Sequence, residues 1–229
     1  MRLSPFLIGE VMPINWEEID TVLLDMDGTL LDRHFDDHFW LEHVPGRYAA
    51  RNDLPLAAAK EKLYAMFRGQ ENSLNWTDLD YWTEQTGLDI PLLKLEVEHL
   101  IAVHPDVIDF LDFLRGAGKG VHLVTNAHGK TLSLKMKKTR LGSYFDTIVS
   151  AHDLGLPKED PAFWGELQKV IPYDPAKTML GEDSETNLGT AAAYGIRHLI
   201  FVSASNSHLP PVPSEHFRSV NTFKELLPA

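Results

Sequence analysis

The chain has 229 residues, 44% hydrophobic and 24% charged, an ordinary globular composition with room for one α/β domain and a smaller insertion. A formal net charge of −12 argues against nucleic-acid polymers and anionic membranes as partners, while leaving open a small anionic ligand brought in by a divalent cation. The absence of cysteine excludes disulfides and thiolate metal sites, and no apolar run reaches the roughly 20 residues that span a bilayer.

Residues 1–20 carry one Arg and a short apolar patch closed by Gly9-Glu10. They lack the long apolar segment and small-residue cleavage site of a signal peptide, so the chain reads as cytoplasmic. Met12 is an alternative start, because patterned sequence begins only beyond it. The first patterned stretch is Thr21 to Leu24, a short apolar run of the kind that forms a buried parallel strand. It ends in Asp25-Met26-Asp27-Gly28-Thr29, two carboxylates separated by one residue. Unpaired charges do not survive in a core, so these acids are expected where the strand emerges, at the ligand-binding edge of an open α/β sheet. A strand followed by a plain turn with solvated acids is the simpler alternative.

Leu30 to Asp37 reads as a polar, acidic linker. From about Phe39 to Ile101 the pattern is helical, with strong helix formers at Leu56 to Leu63 and Leu92 to Val97. An aromatic-rich helix from Leu74 through Trp82 is expected to end near Gly87. The β/α alternation then resumes. A helix is predicted over Asp106 to Arg115, a strand over Val121 to Val124 ending in Thr125-Asn126, and a basic helix from about Lys130 to Arg140. Further strands are predicted around Thr147 to Ser150, at Thr178 to Leu180 running into Gly181-Glu182-Asp183-Ser184, and over Arg197 to Val202. Between them lie Gly155-Leu156-Pro157-Lys158, a helix with Asp160 as its cap and Pro161 in its first turn, and an alanine-rich helix from Asn187 to Tyr194. Ser203 to Ser214 reads as a loop before a short terminal helix.

Strands separated by helices of ten or more residues pair in parallel through right-handed crossovers, so their carboxyl ends share one edge. Asp25, Thr125, Lys158 and Glu182-Asp183 all fall at or just after such ends, distant in sequence and neighbours in space. Each also has a plain reading on its own. Thr125 can be a strand-end residue, Lys158 a solvated side chain before a helix, and Asp183-Ser184 a helix cap.

Taken together, Asp25-Met26-Asp27-Gly28-Thr29-Leu30, Thr125-Asn126, Lys158 and Glu182-Asp183-Ser184 resemble the signature of the haloacid dehalogenase superfamily of phosphohydrolases, in that superfamily's order, over about Ile19 to Val202. The resemblance implies a Rossmann-like α/β fold, a parallel sheet with helices on both faces, plus an inserted helical cap. Residues 1–35 and 104–229 would form the core domain and 36–103 the cap. It implies Asp25 as the nucleophile that splits phosphate-ester hydrolysis into two displacements, and Asp27 as the acid and base. It implies a magnesium ion held by the Asp25 carboxylate, the Asp27 backbone carbonyl and Asp183, with Glu182 a direct or outer ligand. Thr125, the Asn126 amide and Lys158 would bind and balance the phosphoryl group, with Met26 and Gly28 in the turn that brings backbone N–H groups towards it. Where many superfamily members carry a second acid four residues after the first, this chain has Asn187, so a role for Asn187 is in doubt.

Other features read more simply. His34 and His38 are spaced for one helix face but have no third ligand nearby in sequence, and they read as a solvated linker. Lys130, Lys135, Lys137, Lys138 and Arg140 read as a solvated outer face. Trp40, Phe67, Trp76, Tyr81 and Trp82 read as cap core, with the sharper option that one or two stack on a planar substrate group. Trp16 to Asp27, Leu74-Asn75-Trp76 with Asp80-Tyr81-Trp82, Thr125-Asn126-Ala127-His128 and Pro157-Lys158-Glu159-Asp160 resemble the bacterial purine 5′-nucleotidases acting on GMP and IMP. That makes a nucleoside monophosphate the expected small phosphorylated substrate. The alternatives are a sugar-phosphate phosphatase or phosphomutase of the same superfamily, and, outside enzymes, a non-catalytic phosphate-binding regulator. The sequence leaves the oligomeric state open.

Overall fold

The computed structural model describes residues 14–228, so the alternative start at Met12 lies outside the described residues. Six strands, Thr21–Leu24 (β1), Gly120–Thr125 (β2), Thr147–Ser150 (β3), Thr178–Glu182 (β4), His198–Val202 (β5) and Arg218–Val220 (β6), form one all-parallel sheet in the order β3-β2-β1-β4-β5-β6. β1 lies at its centre, with Leu24 registered against Leu123 on one side and Gly181 on the other. The strand order runs outward in opposite directions from β1, which makes its carboxyl end a topological switch point.

Alternation along β1 feeds two cores, because successive side chains of a strand point to opposite faces. Val22 and Leu24 join the cluster that holds Phe110, Leu111 and Leu114 of the helix Val107–Gly116. Leu23 points the other way, into a cluster with Phe163, Trp164 and Leu167 of Phe163–Val170 and Leu188 and Ala191 of Glu185–Tyr194. All three strand residues are fully buried. Helices on both faces explain why this strand is apolar throughout rather than alternating.

The described residues carry ten α-helices, numbered here in chain order. Six lie between β1 and β2, the first five being His34–His38 (α1), Val44–Asn52 (α2), Leu56–Arg68 (α3), Leu79–Thr86 (α4) and Ile90–Glu96 (α5). The rest are Val107–Gly116 (α6), Gly129–Thr139 (α7), Ala151–Leu154 (α8), Phe163–Val170 (α9) and Glu185–Tyr194 (α10). A wider π-helical turn, Phe39–His43, joins α1 to α2 just before Pro45, whose missing N–H cannot join an ordinary helical ladder. None of the helices is long and apolar enough to cross a membrane.

Several boundaries differ from the sequence expectation. The linker expected over Leu30 to Asp37 contains α1, which buries Phe35. The expected helix from Leu74 to Trp82 is broken: Leu74–Trp76 is a 3-10 turn, and Asp78 then caps α4 by accepting from the Asp80 and Tyr81 N–H groups. α4 does stop at Gly87, which adopts a left-handed conformation. Asp160 accepts from the Ala162 N–H, but α9 begins only at Phe163. The C-terminal region holds β6, which is too short and mixed to show an alternating pattern, and a 3-10 turn at Phe223–Leu226 in place of a terminal helix.

Candidate active site

The carboxyl ends of β1, β2 and β4 and the loop before α9 bring Asp25, Thr125, Lys158, Glu182 and Asp183 to the floor of one cavity of about 450 Å³, with Asp27 beside them. Asp25 lies immediately past β1 and is 5% exposed, with its N–H donating to Gly181 C=O at 3.0 Å. Lys158 is buried between two acids, its Nζ 2.5 Å from Asp25 Oδ1 and 2.6 Å from Glu182 Oε2. The solvated alternative for Lys158 therefore does not describe this structure.

Asn126 fixes the position of that lysine. Its Oδ1 accepts from the Lys158 N–H at 3.0 Å, and its Nδ2 donates to both Glu159 carboxylate oxygens. Thr125 is buried, and its Oγ1 accepts from the Ala127 N–H at 3.0 Å. Among the described residues the backbone N–H groups of Met26, Asp27 and Asn126 have no hydrogen-bond partner, so three donors at this edge are free for an anion. Gly28 lies in the turn past β1, and its own N–H donates to Leu31 C=O at 2.7 Å. Its φ of +82° suits glycine, and a Cβ there would come within 2.1 Å of Asp183 Oδ2. Gly28 makes room for the Asp183 carboxylate.

Asp25, Glu182 and Asp183 present carboxylate oxygens within 4.8 Å of one another, a hard oxygen donor set suited to a divalent cation. Glu182 is already engaged at both oxygens, Oε2 with Lys158 and Oε1 with the Asp183 and Ser184 N–H groups. Asp183 Oδ2 meets Arg33 Nη1 at 3.0 Å, a partner that the sequence did not single out. Ser184, not Asp183, caps α10, so capping leaves the Asp183 side chain free for the cluster. Burial is the main cause that pushes Asp25, Glu182 and Asp183 each up to about 7. Mutual repulsion adds to it, from Glu182 on Asp25, from Asp183 on Glu182 and from Asp25 on Asp183. Lys158 works in the opposite direction and is itself raised: burial opposes its charge, but Asp25 and Glu182 outweigh that. Three crowded acids against one lysine and Arg33 leave a local excess of negative charge that a cation would relieve.

Asp27 Oδ1 receives Lys135 Nζ at 2.5 Å. This overturns the reading of the basic helix as wholly solvated. Lys130, Lys137, Lys138 and Arg140 are exposed, but Lys135 is 1% exposed and also bonds Asp36, which in turn takes Lys94 Nζ at 2.8 Å. A helix with a single inward-facing lysine among exposed ones looks uniformly basic in sequence. Burial raises Asp27, opposed by Lys135. Burial also works against ionised Asp36, but Lys135 and Lys94 outweigh it and hold that carboxyl low.

The opposite wall is apolar, formed by Trp40, Leu41, Phe67, Trp76, Leu79 and Trp82. Trp82 is core at 1% exposed, whereas Trp76 is 42% exposed, and Trp82 Nε1 donates to Trp76 C=O. Tyr81 does not line the cavity. Thr77 ties this wall to the sheet edge, its Oγ1 bonding Asn126 C=O at 2.6 Å and His152 Nε2 at 2.9 Å. Asn187, doubted from sequence, is 4% exposed and lines the cavity, and its Oδ1 lacks a hydrogen-bond partner among the described residues. His34 and His38 sit on a helix, but His34 stacks on His208 at 3.7 Å and neither joins a three-ligand cluster among the described residues.

The family model for haloacid dehalogenase-like hydrolases matches residues 19–195. Over 216 residues the chain is 37% identical to the GMP/IMP nucleotidase YrfG of Escherichia coli, covering 94% of this chain and 97% of that protein. It is 28% identical over 177 residues to the pyrophosphatase PpaX of Bacillus velezensis, covering 73% and 76% of the two chains. A solved HAD phosphatase from Thermococcus onnurineus shares the fold with a TM-score of 0.78 at 22% identity, over 91% of this chain and 96% of that one.

Proposed function

The chain belongs to the haloacid dehalogenase-like hydrolases, and from that premise we propose that it is a magnesium-dependent phosphomonoesterase acting on purine nucleoside 5′-monophosphates, GMP and IMP first. The observation that carries this reading is one cavity with an acid-and-lysine floor and an aromatic wall. The floor suits a phosphoryl group and the wall suits a planar base. Residues 36–103 act as the cap, and the described residues 14–35 and 104–228 as the core that carries the chemistry.

Asp25 attacks phosphorus, the bond to the leaving alkoxide breaks, and Asp27 gives that alkoxide its proton. Asp27 then takes a proton from the water that attacks the aspartyl-phosphate, releasing inorganic phosphate and restoring Asp25. Thr125 Oγ1 and the free N–H groups of Met26, Asp27 and Asn126 hold the phosphoryl oxygens, and Lys158 balances the charge gathering on Asp25. Asp25, Asp183 and the Asp27 carbonyl would hold magnesium, with Glu182 kept outside by its existing bonds. The ion supplies neutralisation of phosphate and carboxylate charge.

A phosphate-release screen with magnesium across nucleoside monophosphates and sugar phosphates tests this reading. Preferential release from GMP or IMP supports it. Preference for a sugar phosphate, or interconversion of sugar phosphates, favours the alternative expectation. Absence of turnover on every substrate would return the regulator reading.

A further inference from the structure

Helices α1, α5 and α7 bring three charged side chains, Asp36, Lys94 and Lys135, into one row that the chemistry above leaves without a role. Lys94 Nζ donates to Asp36 Oδ1 at 2.8 Å, Lys135 Nζ donates to Asp36 Oδ2, and the same ammonium reaches Asp27 Oδ1 at 2.5 Å. The two lysine side chains are 3% and 1% exposed. Buried ions are expensive, and apolar side chains of similar volume would fill such space at no desolvation penalty. Aromatic faces hold the ammonium groups further: Lys94 Nζ lies 4.5 Å from the Phe39 ring centre and 4.8 Å from that of Phe35, and Lys135 Nζ lies 5.1 Å from that of Phe35. The row ends on the one carboxylate assigned to proton transfer. Asp27 lies past β1 in an isolated bridge to Leu31, outside any strand or helix. Its Oδ2 has no hydrogen-bond partner among the described residues, while Oδ1 is taken. General acid–base transfer needs an oxygen held within hydrogen-bond reach of the leaving group, and a small misplacement is punished heavily.

We propose that Lys135 is a positioning residue for Asp27: its ammonium fixes Oδ1 and leaves Oδ2 to the substrate, while Asp36 and Lys94 anchor that ammonium from α1 and α5. The inference rests on Asp27 being the acid and base. Because Lys94 belongs to the helical segment between β1 and β2, the geometry of Asp27 then depends on α5 being seated against α7.

The test compares two leaving groups. The alkoxide of GMP, or of the best alkyl phosphomonoester in the screen, must be protonated as it leaves, whereas p-nitrophenolate departs unaided. Lys135→Met should lower kcat on GMP roughly 10²-fold with KM little changed, the scale of a lost acid–base contribution. Single-turnover release of p-nitrophenol from p-nitrophenyl phosphate, with enzyme in excess, should change less than about 3-fold, because that step needs no acid. Equal losses on both substrates, or no loss on GMP, would overturn the proposal. If Lys135→Met fails to melt cooperatively, Asp36→Asn carries the same comparison and should show the same split, since it frees Lys135 from its anchor. Asp27→Asn separates the two readings: a split there without one in the Lys135 or Asp36 variants sinks the positioning role alone. If Asp27→Asn shows no split, the acid–base assignment and the positioning role fall together.

Discussion

Asp25 and Lys158, 133 residues apart in sequence, meet at the carboxyl edge of the sheet with Nζ 2.5 Å from Oδ1. The contact depends on two strand ends and one amide: β1 delivers Asp25, β4 delivers Glu182 to the far side of the ammonium, and Asn126 at the end of β2 pins the Lys158 backbone. A lysine placed this way cannot act as a base while both acids are ionised. It is a fixed positive charge beside the attacking carboxylate.

Asp25→Asn should therefore abolish phosphate release, by roughly 10⁴-fold or more, the scale on which loss of a covalent nucleophile acts. The fold should survive, because Lys158 keeps Glu182 and one crowded buried acid is removed. Phosphate release and thermal melting measured on the same sample check both halves. Substantial residual turnover would mean that another group attacks phosphorus.

Gly28→Ala should act on Asp183 rather than on the phosphate. The added Cβ would fall 2.1 Å from Asp183 Oδ2 and 2.6 Å from its Cγ, so the carboxylate must swing out of the cluster. The positive φ adds strain of about 1–2 kcal/mol for any residue with a Cβ. The magnesium concentration giving half-maximal activity should rise at least about tenfold, with a modest fall in Tm. An unchanged magnesium dependence would show that Asp183 does not hold the ion.

The residues legible in the sequence are those whose role is fixed by a strand end. Asp25, Thr125 and Glu182-Asp183 follow apolar runs, so parallel pairing alone predicts that they converge. Lys158 was placed by its loop, after Pro157. Lys135, Asp36, Lys94 and Arg33 were missed because they reach the site from helices and a turn. Nothing in local periodicity distinguishes Lys135 from its exposed neighbours; only the neutralisation of buried Asp27 and Asp36 does, and that requires knowing what packs on α7. β6 was missed for a related reason: three residues, of which only Val220 is buried, carry no period.

Magnesium should bind more tightly as pH rises through neutrality. Without metal, burial pushes Asp25, Glu182 and Asp183 up to about 7, so the folded protein holds protons there that the unfolded chain, with values near 3.8 to 4.5, has released. More protons on the folded state means that metal-free stability falls as pH rises from about 4 through 7. His104 and His122, lowered by burial, act in the opposite sense and are protonated sooner in the unfolded chain. Absolute melting temperatures therefore mix the two effects, whereas the gain in Tm at a fixed magnesium concentration isolates the acids. That gain should be larger at pH 8 than at pH 6, with protons released on binding, because the ion competes with them. Equal gains at the two pH values would place the ion elsewhere. Activity lost to a chelator should return with magnesium.

Trp76 and Trp82 share one wall and should separate in their effects. Trp82 is 1% exposed, packs edge-on against Phe67 at 4.9 Å and donates its indole N–H to Trp76 C=O. Trp82→Ala opens a large hole and should cost about 3–5 kcal/mol of stability. Trp76, 42% exposed at the cavity rim, has little core to lose. If it stacks on the base, Trp76→Ala removes roughly 1–3 kcal/mol of binding and raises KM for GMP about 5- to 150-fold. The same variant should leave KM for p-nitrophenyl phosphate, which carries no purine, within about 3-fold, and should leave Tm nearly unchanged. A parallel rise on both substrates would mean that Trp76 shapes the cavity mouth without reading the base.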